Sequence, residues 1–316
     1  MKMKYKPSRV FLIINPNSGI KNRFFRWLNR IFGWNKIKKS KSLDEKVIQI
    51  QSQFENEGIG FEYAYTKYPG HAKDLAHQES AKGIDIIIAM GGDGTINEVV
   101  NGMVHSESRL GVIPYGTANV FGLSFDVPND YLEACKRIIE GQSKVIDLGN
   151  INGHFFICMG GVGFDAYIIK KADKRLKKII GGLSYVMISM VEYFRYKFNP
   201  IIFKVDNDSE LKKGYFLFIC NTKYYGGKFI ISDKIDPTDG LLDICLIKDK
   251  GLFTAIKCSV QLAMGKLRKS DVVEKFQCKQ IYIDASGRHR IHGDAEYVSH
   301  TPANVQIYPK AITIIY

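Results

Sequence analysis

Three sets of residues in this chain have the types and spacing to do chemistry. The first is Gly91-Gly92-Asp93-Gly94-Thr95. Three glycines in four residues let the main chain approach an anion closely, and free N–H groups at a helix start point at it. Asp93 is the odd member, because a carboxylate repels a phosphate unless a divalent cation or a transferable proton lies between them. It reads as a Mg²⁺-linked nucleotide contact; the alternative is that Asp93 caps the helix and the glycines only make a tight turn. The second set is Asp294 and Glu296, within Arg290-Ile291-His292-Gly293-Asp294-Ala295-Glu296. If that stretch is extended, both carboxylates project from one face and one pKa rises towards neutrality, which suits a general base taking a hydroxyl proton. Two exposed acids on a hairpin are the plain alternative. The third set is Asp236-Pro237-Thr238-Asp239-Gly240, where oxygens two and three residues apart in a tight turn can converge on a hard cation.

The elements that must position these groups follow from periodicity. Ile84 to Ala89 is a short β-branched run between Gly83 and Gly91, as in a buried parallel strand. Ile96, Val99, Val100 and Met103 then repeat as on one face of a helix. Val10 to Ile14 is a first strand ending in Asn15-Pro16-Asn17-Ser18-Gly19, and a polar loop at a strand's carboxyl end is where α/β sheets bind ligands. A helix over Leu43 to Glu57, a strand over Gly60 to Tyr65, a helix from Pro69-Gly70-His71-Ala72 to Ala81, a strand over Leu110 to Ile113 and a helix over Asn129 to Gly141 complete a parallel-sheet domain, residues 1–143. From Lys144 the pattern becomes closely spaced strands: Val145–Leu148, His154–Met159, Ile201–Val205, Gly214–Cys220, Leu242–Ile247, Gln280–Ala285 and Tyr297–Ile307. Interrupted by two helical stretches, they define a β-rich second domain, residues 144–316, whose last strand is free to return to the first.

At 316 residues the chain is long enough for two ordinary cores. A formal charge of +13 favours an anionic partner, nucleic acid or an anionic membrane surface. No recognised nucleic-acid motif accompanies the charge, so nucleic acid is not expected. Cys135, Cys158, Cys220, Cys245, Cys258 and Cys278 are scattered, without a Cys-x-x-Cys pair. That argues against a zinc site or disulfide framework and for a reducing cytoplasm. The basic N-terminus runs into a greasy stretch too short for a signal-peptide core, and Ile179 to Val191 is too short and broken for a membrane span.

One segment has the composition of a helix lying in a membrane interface. Phe24, Phe25, Trp27, Leu28, Ile31, Phe32 and Trp34 share half of a helical wheel, with Arg23, Arg26, Asn29 and Arg30 opposite. Lys170, Lys171, Lys174, Arg175, Lys177 and Lys178 open a second helical stretch, Lys170 to Phe198, and add attraction of about 1 kcal/mol per basic residue if they lie near anionic lipid. Peripheral membrane association is the expectation, and a homodimer is one assembly the sequence leaves open.

Gly91-Gly92-Asp93-Gly94-Thr95 followed by Asn97-Glu98 resembles the nucleotide motif of the diacylglycerol kinase catalytic-domain family, related more distantly to NAD kinases. Further motifs agree in order from Asn15 to Glu296. The resemblance implies a Rossmann-like α/β domain, a β-sandwich domain and an active-site cleft between them. It also implies ATP and Mg²⁺ as cofactors and a lipid hydroxyl as acceptor. It assigns the nucleotide to Asn15, Pro16, Asn17, Ser18, Gly19, Thr66, the glycine loop with Asn97 and Glu98, and Gly116, Thr117 and Asn119. Metal is implied at Asp236, Asp239 and Leu241, with Asp147 beside a metal, and the base at Asp294 or Glu296. Val120 stands where many members carry an aspartate. Diacylglycerol is the expected acceptor; a sphingoid base, NAD, or a non-catalytic binding protein are the alternatives.

Overall fold

The computed structural model describes residues 7–18, 41–171, 183–265, 267, 269–284 and 288–316, with only the main chain of 183–187. Phe24, Trp27, Trp34 and Gly19, and the basic run at 174–178, lie outside the described residues. No helix among those described is long and apolar enough to cross a membrane.

The chain divides into two compact units, with the boundary between Lys144 and Val145 and with Ile312–Tyr316 belonging to the first. In the first unit, β1 (Arg9–Ile14), β2 (Gly60–Tyr65), β3 (Ile86–Gly91) and β4 (Arg109–Pro114) pair in parallel in the order β2-β1-β3-β4. Ile314 of the last strand pairs in parallel with Leu110 of β4. Helices α1 (Leu43–Asn56), α2 (His71–Ala81), α3 (Asp93–Met103), α4 (Val120–Ser124) and α5 (Tyr131–Glu140) complete the unit. Both faces of the sheet are covered, which is why β1 and β3 read as unbroken apolar runs. Val10, Leu12, Ile14, Ile86, Ile88 and Met90 pack on Val47, Ile50 and Phe54 of α1 and on Ala134, Cys135 and Ile138 of α5. The alternate positions Ile13, Ile87 and Ala89 are equally buried. Ser42 starts α1 with a reciprocal capping box to Glu45, and Asp130 caps α5.

The second unit is a β-sandwich. Its strands are β5 (Ser143–Ile151), β6 (His154–Phe156), β7 (Met159–Gly163), β8 (Ile201–Val205), β9 (Lys212–Gly214), β10 (Phe216–Cys220), the short pair β11 (Tyr224–Tyr225) and β12 (Phe229–Ile230), β13 (Leu242–Ile247), β14 (Val273–Cys278), β15 (Gln280–Ile283), β16 (Arg290–Gly293), β17 (Glu296–His300) and β18 (Ala303–Ile315). One sheet runs β14-β13-β10-β7-β16-β17, and β18-β15-β8-β9 runs in the other, with β5 on β18 and β6 on β5. Val162, Leu217, Ile219, Leu242 and Ile244 of the first meet Ile201, Phe203, Ile281, Ile283 and Val305 of the second in one buried cluster. Helices α6 (Phe164–Lys171), α7 (Leu183–Tyr193) and α8 (Leu252–Ala263) lie in this unit. Phe164 and Ile168 of α6 and Cys258 of α8 pack with Phe216, Cys220 and Cys245. All six cysteines are free and buried.

Three expectations change. The single strand expected over Tyr297–Ile307 is two, β17 and the start of β18, joined by a turn at the cis Thr301–Pro302 bond. The stretch His154–Met159 is also broken, and the glycine-rich Met159–Gly163 forms a strand. Most consequential, Asp294 and Ala295 are not extended: their φ values of 49° and 61° make a two-residue turn closing the β16–β17 hairpin, with Gly293 opposite Glu296. The two acids therefore do not share one strand face.

Candidate active site

In the first unit, β1, β2, β3 and β4 all deliver their loops to the same end of a parallel sheet. The order β2-β1-β3-β4 reverses direction beside β1, and a ligand crevice forms outside the strand ends at such a reversal. The loop after β1 is tied to the loop after β3. The Asn15 N–H donates to the Met90 carbonyl at 3.0 Å, and Asn15 Nδ2 donates to Thr95 Oγ1 at 2.9 Å. Asn15 Oδ1 accepts from the Asn17 amide at 3.0 Å, and the Ser18 amide donates to the Asn15 carbonyl at 3.1 Å, which leaves Pro16 and Asn17 exposed at the tip. The Thr66 amide donates to the Ile14 carbonyl at 2.8 Å, which brings the end of β2 alongside.

The loops after β3 and β4 are in main-chain contact. A Cβ on Gly92 would lie 3.3 Å from the Gly116 Cα, and one on Gly91 would meet the Thr95 side chain at 2.5 Å. These contacts, rather than torsion, require glycine, because Gly92 is extended at φ −91°. Asn119 takes a left-handed conformation at φ 49° and accepts the Gly116 amide on Oδ1 at 2.9 Å, closing the turn that carries exposed Thr117. Helix α3 starts at Asp93, with Gly92 as N-cap and no side chain capping it. A glycine N-cap brings no side chain to cover the first-turn amides, and a helix start so arranged suits an anion.

Asp93 caps a helix, but not its own: Oδ1 accepts from the Phe121 amide at 3.0 Å, at the start of α4. Glu98 is directed sideways, its two oxygens accepting from the Gly70 amide at 3.0 Å and the Ala72 amide at 3.2 Å, so that it fixes the start of α2. Asn97 is buried, with Asn101 Nδ2 donating to its Oδ1 at 3.1 Å. These two residues shape the loops from behind.

In the second unit, Asp147 is 1% exposed and fully engaged. Its Oδ2 accepts from the Gly240 amide and its Oδ1 from the Lys310 amide, both at 2.7 Å. It anchors the 236–241 turn through hydrogen bonds, and a carboxylate so committed does not fit a metal ligand. Asp236 and Asp239 fit better. Asp236 Oδ1 accepts from the Thr238 amide at 3.0 Å and Asp239 Oδ1 from the Leu241 amide at 2.9 Å, in successive tight turns. Asp239 and Asp243 share the Gln277 side-chain amide, and burial followed by the Asp239 charge raises the Asp243 carboxyl above its usual range. Crowded negative charge among hard oxygen donors is what a hard cation relieves. No group of three or more His, Cys, Asp or Glu among the described residues could hold a metal, so main-chain carbonyls would have to complete the set.

Asp294 is held as firmly as Asp147. Its oxygens accept from the amides of Ile157 at 2.7 Å, Cys158 at 2.8 Å and Met159 at 3.1 Å. Glu296 follows the turn at the start of β17 and is exposed. Just before the turn lies a constellation the sequence did not disclose. His292 Nε2–H donates to Asp165 Oδ2 at 2.7 Å, and the Tyr225 hydroxyl donates to Asp165 Oδ1 at 2.6 Å. His292 is 1% exposed, and a Cβ on Gly161 would fall 2.3 Å from Nε2, so glycine there makes room for the pair. In the sequence, Gly160-Gly161-Val162-Gly163-Phe164-Asp165-Ala166 resembles a segment of the diacylglycerol kinase catalytic-domain family, but nothing there pairs Asp165 with His292.

Comparison with known proteins gives the family and the fold. Residues 9–151 match the diacylglycerol kinase catalytic domain, and residues 159–316 match the YegS C-terminal NAD kinase beta sandwich-like domain. A diacylglycerol kinase of Bacillus subtilis (strain 168) is 30% identical over 268 residues, covering 82% of this chain and 87% of the relative. One from Staphylococcus aureus (strain MRSA252) is 29% identical over 305 residues, covering 94% and 88%. A crystal structure of a diacylglycerol kinase from Bacillus anthracis str. Sterne has a TM-score of 0.73 at 22% identity, covering 99% of this chain and 98% of its own; it speaks for the fold. With the loops after the parallel strands gathered at one sheet end and both domains matched along the chain, the protein belongs to the diacylglycerol kinase catalytic-domain family and is an ATP-dependent lipid kinase.

Proposed function

We propose that this kinase phosphorylates the free hydroxyl of diacylglycerol at a membrane surface. The observation that carries the reading is the glycine-to-glycine contact of the loops after β3 and β4, beside an α3 start that no side chain caps. Such a cradle suits a triphosphate tail, with Thr117 and the Asn15–Ser18 loop at its rim. Phosphoryl transfer asks little covalent chemistry of a protein and much positioning and charge neutralisation. Mg²⁺, when bound, supplies charge neutralisation at the phosphates; Asp93 is the residue to hold it there, and Asp236 and Asp239 a second ion that stiffens their turn. Glu296 takes the acceptor's proton. Asp294 is unsuited to that role, since three amides already hold its oxygens, and instead it fixes the hairpin that presents Glu296.

The Bacillus subtilis and Staphylococcus aureus relatives, both named diacylglycerol kinases, support diacylglycerol as acceptor. The test is incubation with labelled ATP, Mg²⁺ and a lipid panel in mixed micelles, beside NAD. Label in diacylglycerol is expected. Label in a sphingoid base or in NAD, with none in diacylglycerol, overturns the assignment.

A further inference from the structure

The second unit contains a cavity of about 350 Å³ that the phosphoryl-transfer reading does not use. Its wall includes Lys197, Arg288, Arg290, His289 and His300, and among the described residues no acid lines it. None of the two arginines and the lysine forms an ion pair among the described residues. Arg290 lies over the Tyr167 ring, 5.2 Å from its centroid, and its Nε is buried without a hydrogen-bond partner there. Glu192 accepts from the Tyr167 hydroxyl, but its charge is met by Lys171 at 2.7 Å and Arg195 at 3.6 Å. Among the described residues, the positive charge of the cavity therefore has no counter-charge in the wall. His300 registers this: burial first, then the charges of Arg288, Lys170 and Arg290, press its pKa below the ordinary histidine value.

We propose that this cavity is an anion site that takes a phosphate mono- or diester, held by the Arg288 and Arg290 guanidinium groups. A guanidinium fork matches two phosphate oxygens, and an arginine already stacked on a tyrosine loses little freedom in binding. The ligand is a phospholipid headgroup or a soluble phosphate. Apolar exposure on the segment leading into Lys197 speaks for the headgroup: Met190, Val191 and Phe194 there are 68%, 55% and 76% exposed. The site is not the proton-abstracting one, because Arg290 and His300 pair at the open end of the β16–β17 hairpin whose closed end carries Glu296. About three residues of strand, roughly 10 Å, separate them. The inference stands on unit-two side chains and does not depend on which acceptor the kinase uses.

Binding of inorganic phosphate to the full chain, followed through the ring resonances of His289 and His300 at constant pH, reads the cavity rather than the glycine loops. Saturable shifts are expected, with affinity about tenfold weaker in Arg290→Gln and in the exposed Arg288→Gln, the worth of one charged hydrogen bond. Parallel flotation with phosphatidylcholine vesicles, with and without phosphatidylglycerol, separates the sources. A comparable loss of phosphatidylglycerol-dependent binding in the variants identifies the headgroup, whereas loss of phosphate binding alone identifies a soluble ligand. Unmoved histidine resonances in the wild type overturn the proposal. So does wild-type phosphate affinity in Arg288→Gln, which tests the site even if Arg290→Gln does not fold.

Discussion

Gly92 and Gly116 touch main chain to main chain: a Cβ built on Gly116 would stand 2.5 Å from the Gly92 Cα and 2.7 Å from Asn119 Oδ1. Two loops distant in sequence thereby form one wall, and the spacing of that wall sets what it can grip.

Gly116→Ala must push those loops apart, because the nearer neighbour, the Gly92 Cα, is main chain and cannot rotate away. The change costs about 1–3 kcal/mol as overpacking, most of it local to the loops. We expect at least a tenfold loss of affinity for a non-hydrolysable ATP analogue by calorimetry, with a folded protein by circular dichroism. Unchanged nucleotide affinity would separate these loops from the triphosphate.

Asp294 and Glu296 should respond in opposite ways to neutralisation. Asp294→Asn replaces one acceptor of three amide hydrogen bonds with a donor, at a cost of about 2–3 kcal/mol in urea unfolding. Glu296→Gln, on an exposed strand position, should leave unfolding within about 0.5 kcal/mol of wild type. Its kcat should fall roughly 10²–10⁴-fold with KM for ATP preserved, as for loss of a general base. Full activity in Glu296→Gln would remove it from the chemistry.

Ala295 sits at φ 61° in a turn that favours glycine at its second position. The left-handed conformation costs an L-residue about 1–2 kcal/mol, and the added freedom of an unfolded glycine returns part of that. Ala295→Gly should therefore stabilise the protein by about 0.5–1 kcal/mol on balance. A lower unfolding midpoint would show that the alanine methyl makes contacts worth more than the strain.

Acid should weaken the second unit through His289. It is buried, its Nε2–H donates to the Pro200 carbonyl at 3.0 Å, and burial lowers its pKa despite that hydrogen bond. Below the unfolded value of about 6.5 the unfolded chain takes up a proton that the folded chain refuses. Stability thus falls as pH drops through that value and levels off only below the lowered folded pKa. Urea unfolding at about pH 7.5 and about pH 5.5 should show this loss, and His289→Gln should reduce it. An equal loss in the variant would assign the slope to other groups.

The first unit was legible because its signals are local. Gly60–Tyr65 and the start at Leu43 read correctly, since period and capping box are written within a few residues. Helix α3 begins at Asp93, earlier than its first apolar residue Ile96, because the first turn faces the loops and carries no apolar periodicity. In the second unit, Met159–Gly163 and the helix at Phe164–Lys171 were harder to see. Glycines give no strand signal, and their reason is steric: Gly161 leaves space for His292 across the sheet.

What the sequence alone determined is the inventory: glycine loops at strand ends, paired acids, hard-oxygen turns, a basic chain without disulfides. Residue type and short-range spacing carry that information, because anion binding and helix initiation involve neighbours in the chain. The tertiary structure decided which members are occupied elsewhere. Asp147, Glu98 and Asp294 each have both carboxylate oxygens accepting amides from main chain remote in sequence. A carboxylate withdrawn even partly from solvent must find donors wherever the fold brings them, and no spacing within the chain states where that will be.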